Sequence, residues 1–267
     1  MRLQTVPARR GALWVRQGLR AFLKRPFAFT LLFATFALML PVLLALPLVG
    51  PTLFLALLPA ATLGFMIATR IAIGGGPPMP RAAFEAPQAK RRRLVAMLQL
   101  GLSYALASYV VMWLSDYADG GTLEALLDAL RAGQTSTEEF AAKVPASGLL
   151  IGQLLRFGLA GLLAVPFWHA PALVYWDGHS CAKALFSSTL ACWRNRGAFA
   201  VYSLVWFALL LLFGALLDLW LALFGQGALF ATAPMVLILG TVFYVSLYFT
   251  FTDCFVAAES DLVADPA

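Results

Sequence analysis

In the middle of the chain stands PFWHAPALVYW (166–176), followed by DGHS (177–180) and CAKALFSSTLACWRNRG (181–197). The first segment has the composition of the end of a membrane span, and Gly178 suits the short polar turn that follows it. Residues 180–196 combine apolar residues with Lys183, Arg194 and Arg196, which is typical of an amphipathic helix lying on a membrane surface. The stretch therefore predicts a helical membrane protein in which a surface helix joins two spans.

The composition of the whole chain supports this prediction. Of the 267 residues, 61% are hydrophobic and 12% are charged, whereas a soluble domain carries about 25% charged residues. The 43 residues from Phe27 to Thr69 include no Asp, Glu, Lys or Arg. One bilayer crossing takes about 20 apolar residues, so this run is expected to form a hairpin of two helices. We expect an all-α, polytopic membrane protein without a separate soluble domain.

Six membrane spans are predicted, at about 27–46, 51–73, 94–114, within 148–176, at 198–217 and at 231–252. They would form one transmembrane domain over 27–252, preceded by a basic leader (1–26) and followed by a tail (253–267). The first apolar run is not expected to be a cleaved signal, because seven Lys and Arg precede it and no small-residue cleavage site follows it.

The leader is predicted to contain a second amphipathic helix, at residues 9–25. Arg16, Arg20 and Lys24 recur every four residues and so share one face of the helix. The opposite side is apolar, with Trp14, Val15, Gly18, Leu19, Ala21 and Phe22. A basic helix of this kind is expected to lie in the headgroup plane, although a solvated leader is the alternative. Six cations are predicted to contact lipid headgroups: Arg16, Arg20, Lys24, Lys183, Arg194 and Arg196.

Lys and Arg are distributed unevenly between alternate connections. One side receives seven from the leader, five from 74–93 and three from 177–197. The other side receives only Arg131 and Lys143, within an acidic loop at 115–147 where a short amphipathic helix is expected. Because Lys and Arg are retained on the cytoplasmic side, both termini are predicted to be cytoplasmic. The three cysteines would then lie on or near the reducing side, and no structural disulfide is expected.

Four polar residues in the predicted spans are candidates for function, because ionisable groups at membrane depth often serve one. Arg156 and His169 belong to the fourth span, and Tyr244 and Tyr248 lie on one stripe of the sixth. Together they would mark a solute path. Each also has a structural interpretation: a histidine bonded to a neighbouring helix, an arginine snorkelling to headgroups, and an aromatic packing face. Arg156 and His169 lie about 220° apart around an ideal helix, so they do not share a face.

Motifs of enzymes and cofactor sites are missing from the sequence, including the nucleophile elbow, the P-loop, HExxH and the dinucleotide fingerprint. We therefore expect no enzyme activity, no metal and no cofactor. The net charge of +6 lies beside the spans rather than in a nucleic-acid-binding module, so nucleic acid is not an expected partner. The prediction is a non-catalytic protein whose partner is the phospholipid bilayer, with protein partners left open. The alternative is a small transporter or channel component.

The central stretch and the leader resemble a family of bacterial six-span inner-membrane proteins of unknown activity. The residues that carry the resemblance are Ala170-Pro171-Ala172-Leu173-Val174, Gly178, Ser180, Ala184-Leu185, Ser188, Arg194-Asn195, Trp14, Gly18, Phe22 and Lys24-Arg25-Pro26. The arrangement is also similar to the membrane domain fused to some glycerophosphodiester phosphodiesterases. The resemblance covers nearly the whole chain and implies a six-span fold in the inner membrane. It implies neither the hydrolase activity, because that part has no counterpart here, nor any catalytic or binding residue.

Overall fold

The computed structural model describes residues 1–47, 49–76, 91–121, 146–225 and 229–256. Within these ranges the chain forms nine α-helices and one pair of short strands. The elements are β1 (Arg2–Leu3), α1 (Arg10–Lys24), α2 (Pro26–Leu44), α3 (Gly50–Ile73), α4 (Arg91–Asp119), α5 (Ala146–Phe167), α6 (Ala170–Asp177), α7 (Cys181–Arg194), α8 (Arg196–Phe224), α9 (Leu229–Cys254) and β2 (Phe255–Val256). The helix predicted within the acidic loop, and the tail after residue 256, lie outside the described residues.

The six predicted spans are confirmed as helices long and apolar enough to cross a membrane. Five are single helices, α2, α3, α4, α8 and α9, and the fourth span is formed by α5 and α6 over Gly152–Asp177. Helices α4 and α8 have 29 residues each, which is about 43 Å of helix and exceeds the roughly 30 Å hydrocarbon core. Both therefore extend beyond the part of the membrane that they cross.

The two predicted amphipathic helices are present as α1 and α7, but the apolar face of α1 does not meet lipid. Trp14, Val15 and Phe22 are buried, because α1 packs along α8 and α9. A Cβ on Gly11 would lie 2.1 Å from the carbonyl oxygen of Ala198, a distance that only glycine permits. The helix was expected to lie in the headgroup plane, and its apolar face is instead covered by α8 and α9.

The outward face of α1 carries the residues that were predicted to reach headgroups. Arg16, Arg20 and Lys24 are exposed, and Leu19 and Leu23 are exposed beside them. Leu19 was assigned to the apolar face by its spacing, and it lies instead on the outward face. This side of α1 remains open to a membrane surface while the other side belongs to the protein core.

The beginning of the chain is joined to the end of α9. Strands β1 and β2 are antiparallel, with Arg2 opposite Val256 and Leu3 opposite Phe255. The terminal ammonium of Met1 binds Asp177 Oδ1 at 2.9 Å. Residues 253–256, which were assigned to a separate tail, therefore belong to the packed structure.

Candidate functional site

His169 lies at a break between α5 and α6, and the break is bridged by a side chain of α7. The His169 N–H donates to Ser188 Oγ at 3.0 Å, and this hydroxyl donates to the carbonyl oxygen of Val165 at 3.0 Å. In a continuous helix the His169 N–H would bond directly to Val165. The Ser188 hydroxyl thus stands inside the interrupted hydrogen-bond ladder, a known cause of sharp bends.

The His169 side chain is fully buried. Its Nε2 lies 3.2 Å from Thr250 Oγ1 of α9, and the rings of Phe199, Phe251 and Phe255 are centred 5.5 to 6.0 Å away. Among the described residues, His169 Nδ1 has no hydrogen-bond partner. His169 therefore occupies an aromatic packing site between helices.

Arg156 is paired with two carboxylates at the end of α4. Its guanidinium binds Asp116 and also Asp119, whose Oδ2 lies 2.8 Å from Nη2. Asp119 is buried, and its Oδ1 accepts a hydrogen bond from the Gly121 N–H at 2.9 Å. A Cβ on Gly152 would lie 2.5 Å from Asp119 Cβ, so this glycine lets α5 approach the pair. The charge of Arg156 is compensated within the protein, and snorkelling to headgroups is not its role.

The two tyrosines of the predicted solute path lie elsewhere. Tyr244 lines a cleft of about 160 Å³ together with the hydroxyl-bearing Thr62 and Tyr104. Tyr248 packs against Trp176, with the ring centroids 6.2 Å apart. Neither Arg156 nor His169 lines the cleft at Tyr244. The structure thus does not bring the four predicted residues together at one site.

Cationic segments from distant parts of the chain are instead gathered at one end of the bundle. The leader meets α6 through Met1 and Asp177, and Arg25 donates to the carbonyl oxygen of Gly75 after α3 at 3.1 Å. Arg93 of α4 lies beside Gly178. We call this region the basic end and define it as residues 1–25, 70–76, 91–93, 177–196 and 253–256. In the described part of the chain, every Lys and Arg except Arg156 lies in the basic end.

Asp253 fixes the leader within the basic end. Its Oδ2 accepts hydrogen bonds from Arg10 Nε and Trp14 Nε1, both at 2.6 Å, and Gln4 Nε2 donates to its carbonyl oxygen. The hydrogen bond to Asp253 raises the pKa of Arg10, so its guanidinium stays charged. Asn195 adds two bonds to the leader, accepting from the Val6 N–H at 2.8 Å and donating to the Gln4 carbonyl oxygen at 3.1 Å. This network was not predicted from the sequence, although an isolated Asp at the inner end of a span was a signal for it.

Helix α7 presents an amphipathic outer face. Phe186 and Trp193 are largely exposed, and so are Lys183, Arg194 and Arg196, the three predicted headgroup contacts of this segment. The guanidinium of Arg196 lies 5.9 Å from the centre of the Trp193 ring. Such a mixture of aromatic and cationic side chains is typical of a helix at the membrane interface.

The inner face of α7 is packed against the bundle through Cys181, Ala184, Ser188, Ala191 and Cys192. Burial raises the pKa of the Cys192 thiol to about 12 and raises that of Cys181 as well. Both cysteines, and Cys254, are free, as predicted. Their thiols remain protonated near neutral pH and are poor nucleophiles.

A known protein is similar to this chain along nearly its whole length. A probable inner membrane protein of Burkholderia thailandensis is 34% identical in an alignment of 266 positions that covers 97% of this chain and 96% of that protein. No family model matches the chain, and no solved structure gives a significant match. The similarity to membrane domains of glycerophosphodiester phosphodiesterases stays a prediction. The identity and coverage show that the chain belongs to the family of this probable inner membrane protein.

Proposed function

We propose that this protein is a non-catalytic integral protein of the inner membrane that holds anionic phospholipid at its basic end, with both termini in the cytoplasm. The observation that carries the proposal is the assembly of the basic end from five separate stretches of sequence. Contacts of Met1, Arg10, Arg25 and Asn195 join four of these stretches, and Arg93 of the fifth lies beside Gly178. The fold as a whole, and not any single basic segment of the sequence, therefore creates the basic end.

The exposed cations of the basic end suit an anionic lipid surface. Each Lys or Arg near such a surface contributes about 1 kcal/mol of attraction. Apolar side chains lie beside them, with Leu19 and Leu23 on α1 and Phe186 and Trp193 on α7. These side chains are suited to the boundary between headgroups and acyl chains.

The opposite end of the bundle supports the orientation. Among the residues described there, the one arginine, Arg156, is neutralised by Asp116 and Asp119. Trp113 and Tyr117 of α4 are exposed there and stack on one another, as in an interfacial aromatic belt. Uncompensated cations are retained in the cytoplasm, so the basic end is assigned to the cytoplasmic leaflet. The name of the relative, a probable inner membrane protein, supports the same membrane.

The polar groups inside the bundle support a role without catalysis. Ser188, the best-placed hydroxyl, is occupied by two backbone groups, and His169 is bonded to Thr250 and enclosed by rings. Within the described ranges there is no group of three or more His, Cys, Asp or Glu that would hold a metal ion.

Lipid analysis of the protein in polymer discs cut from its own membrane tests the proposal. We expect the ratio of anionic to zwitterionic phospholipid in the discs to exceed that of the bulk membrane. Replacing Arg16, Arg20 and Lys24 with glutamine should lower the excess, whereas lysine at positions 16 and 20 should preserve it. Discs with bulk composition, or an excess that survives neutralisation, would contradict the proposal.

The cleft at Tyr244 favours a second candidate, a small transporter or channel component. Its volume of about 160 Å³ has room for about five waters, and Thr62, Tyr104 and Tyr244 offer hydroxyls. Proteoliposomes that pass a small neutral solute, at a rate altered by Tyr244→Phe but not by Tyr117→Phe, would support this candidate. Vesicles no leakier than protein-free ones would dismiss it.

A further inference from the structure

Within the basic end, a cleft of about 400 Å³ opens between α3, α4 and α6. It is lined by Ile67, Arg70, Ile71, Arg93, Tyr175 and Trp176. Arg70 lies three residues before the end of α3, about 4.5 Å along the helix, and Arg93 lies in the first turn of α4. Both arginines therefore lie near the ends of helices that are long and apolar enough to cross a membrane, where a span meets the headgroups.

The two guanidinium groups of the cleft have no acidic partner among the described residues. Neither Arg70 nor Arg93 forms an ion pair there. Asp177, the nearest acid along α6, is engaged by the Met1 ammonium and by His179 Nε2, both at 2.9 Å. Within the described part of the chain, the cleft therefore joins two unpaired cations from different helices.

The turn at Gly178 borders Arg93. This glycine ends α6 with φ of +66°, a backbone conformation that favours glycine, and its N–H bonds to the Leu173 carbonyl oxygen. A Cβ at Gly178 would lie 3.9 Å from Arg93 Nε, which is an ordinary van der Waals contact. The turn that the sequence predicted therefore lies directly beside the Arg93 guanidinium.

The floor of the cleft is ordered by aromatic packing. The Arg70 guanidinium lies 5.9 Å from the centre of the Trp176 ring, and Trp176 packs on Phe251 at 5.1 Å and on Tyr248 at 6.2 Å. Arginine stacked on an aromatic ring keeps its planar fork available for a phosphate. This is a pre-formed site built on helices, in contrast to the exposed side chains on the outside of α1 and α7.

We propose that this cleft binds the phosphate of one anionic phospholipid, with Arg70 and Arg93 on the phosphate and Ile67, Ile71 and Trp176 against its glycerol and acyl region. Guanidinium groups bind phosphate oxygens in bidentate fashion, and basic pockets between membrane helices on the cytoplasmic side suit anionic headgroups. The apolar walls favour a lipid over free inorganic phosphate. The assignment rests on the proposed function, which places the basic end at the inner leaflet.

Native mass spectrometry of the full-length protein from neutral detergent micelles tests the site. Titration with dioleoyl phosphatidylglycerol should show one lipid binding before any other, and dioleoyl phosphatidylcholine should not compete for it. Arg70→Gln with Arg93→Gln should weaken this first binding by about tenfold or more. Arg16→Gln with Arg20→Gln makes the same change of charge on exposed α1 and should weaken it by less than about twofold.

Two further variants separate the site from loss of folding. Arg93→Gln alone leaves the contact between Arg70 and Trp176 intact and should still weaken binding by about threefold or more. Lysine at both positions keeps the charge but loses the planar fork, so its affinity should fall between that of the wild type and that of the double glutamine variant. An unfolding midpoint equal to that of the wild type shows that each variant is folded.

Three outcomes would overturn the site. The first is an equal loss of lipid affinity in the two double glutamine variants, at positions 70 and 93 and at positions 16 and 20. The second is a titration in which no single lipid binds before the others. The third is displacement of the lipid by equimolar inorganic phosphate, which would assign the cleft to the free ion. All three leave the proposed function standing, because that function depends on the exposed cations of α1 and α7. Conversely, the discs could have the lipid composition of the bulk membrane while the titration still shows one tightly bound lipid. That result would retain the site and overturn the proposed function.

Discussion

Replacing Ser188 with alanine removes the hydroxyl that bridges the break between α5 and α6. Ser188 is fully buried. Its hydroxyl accepts a hydrogen bond from the His169 N–H and donates one to the Val165 carbonyl oxygen, each at 3.0 Å. Alanine would fit the space but would leave the His169 N–H without this acceptor, and the Val165 carbonyl oxygen with only the weak bond from the Cys192 thiol at 3.7 Å. The variant therefore tests the helix break and little else.

The expected loss of stability follows from these two bonds. A buried polar group that loses its partner costs about 1 to 3 kcal/mol. In membrane proteins a single hydrogen bond contributes only about 0.6 kcal/mol on average, because the unfolded chain in the membrane also finds partners. Two lost hydrogen bonds at about 0.6 kcal/mol each set the smallest expected loss. We therefore expect Ser188→Ala to lower the free energy of unfolding by about 1 to 3 kcal/mol.

Unfolding by SDS in mixed micelles, followed by tryptophan fluorescence, measures this loss. Thr189→Ala is the matched control, because the neighbouring hydroxyl also bonds to a carbonyl oxygen, that of Leu185, but on the exposed side of α7. The control should change the free energy of unfolding by less than about 0.5 kcal/mol. If the two variants unfold at the same SDS fraction, the Ser188 hydroxyl does not hold the break and the reasoning is refuted.

Three further predictions concern packing and charge. Arg156→Met should cost about 3 kcal/mol, because it removes the guanidinium that compensates the charge of the buried Asp119. Adding Asp119→Asn should restore part of the loss in the same unfolding assay; no restoration would argue against the pair. Gly18→Ala should destabilise the protein by about 1 to 3 kcal/mol, because the new Cβ would lie 2.6 Å from Ser246 Cβ. The control Gly161→Ala meets nothing within 4 Å and should be neutral or stabilising. Similar effects of the two variants would contradict the close approach of α1 to α9. Because the pKa of Cys192 is raised to about 12, about one thiol in ten thousand is ionised at pH 8. Iodoacetamide should therefore alkylate Cys192 slowly in the folded protein and rapidly in SDS. Rapid labelling of the folded protein would show that the thiol is not buried.

The six spans were predictable because long runs without charge have one stable conformation in lipid, the helix with its internal hydrogen bonds. The partner of an apolar face was not predictable in the same way. The spacing of Trp14, Gly18 and Phe22 indicates an amphipathic helix whether lipid or protein covers it, and here α8 and α9 cover it. Periodicity reports that a face is apolar, and the tertiary fold decides what covers it.

The polar networks were hidden for a related reason. Pro166 signals an interruption of its helix, but Ser188, the residue that bridges it, comes 19 residues after His169. The pairing of Arg156 with Asp116 and Asp119 was easier to predict from the sequence than the Ser188 bridge. The two carboxylates belong to the acidic loop predicted at 115–147, and Arg156 lies in the span that follows this loop. An arginine and two carboxylates that flank one loop should be treated as partners before headgroups are considered.

The orientation of the basic end is the claim on which the proposed function and the lipid site both depend. It is tested by labelling single cysteines in spheroplasts with a membrane-impermeant maleimide, after Cys181, Cys192 and Cys254 have been replaced. Lys183→Cys and Arg194→Cys report on the basic end, and Tyr117→Cys, whose native side chain is 81% exposed, reports on the opposite end. We expect Tyr117→Cys to be labelled in intact spheroplasts and the other two only after permeabilisation. Labelling of Lys183→Cys and Arg194→Cys in intact spheroplasts, with Tyr117→Cys protected, would contradict the account.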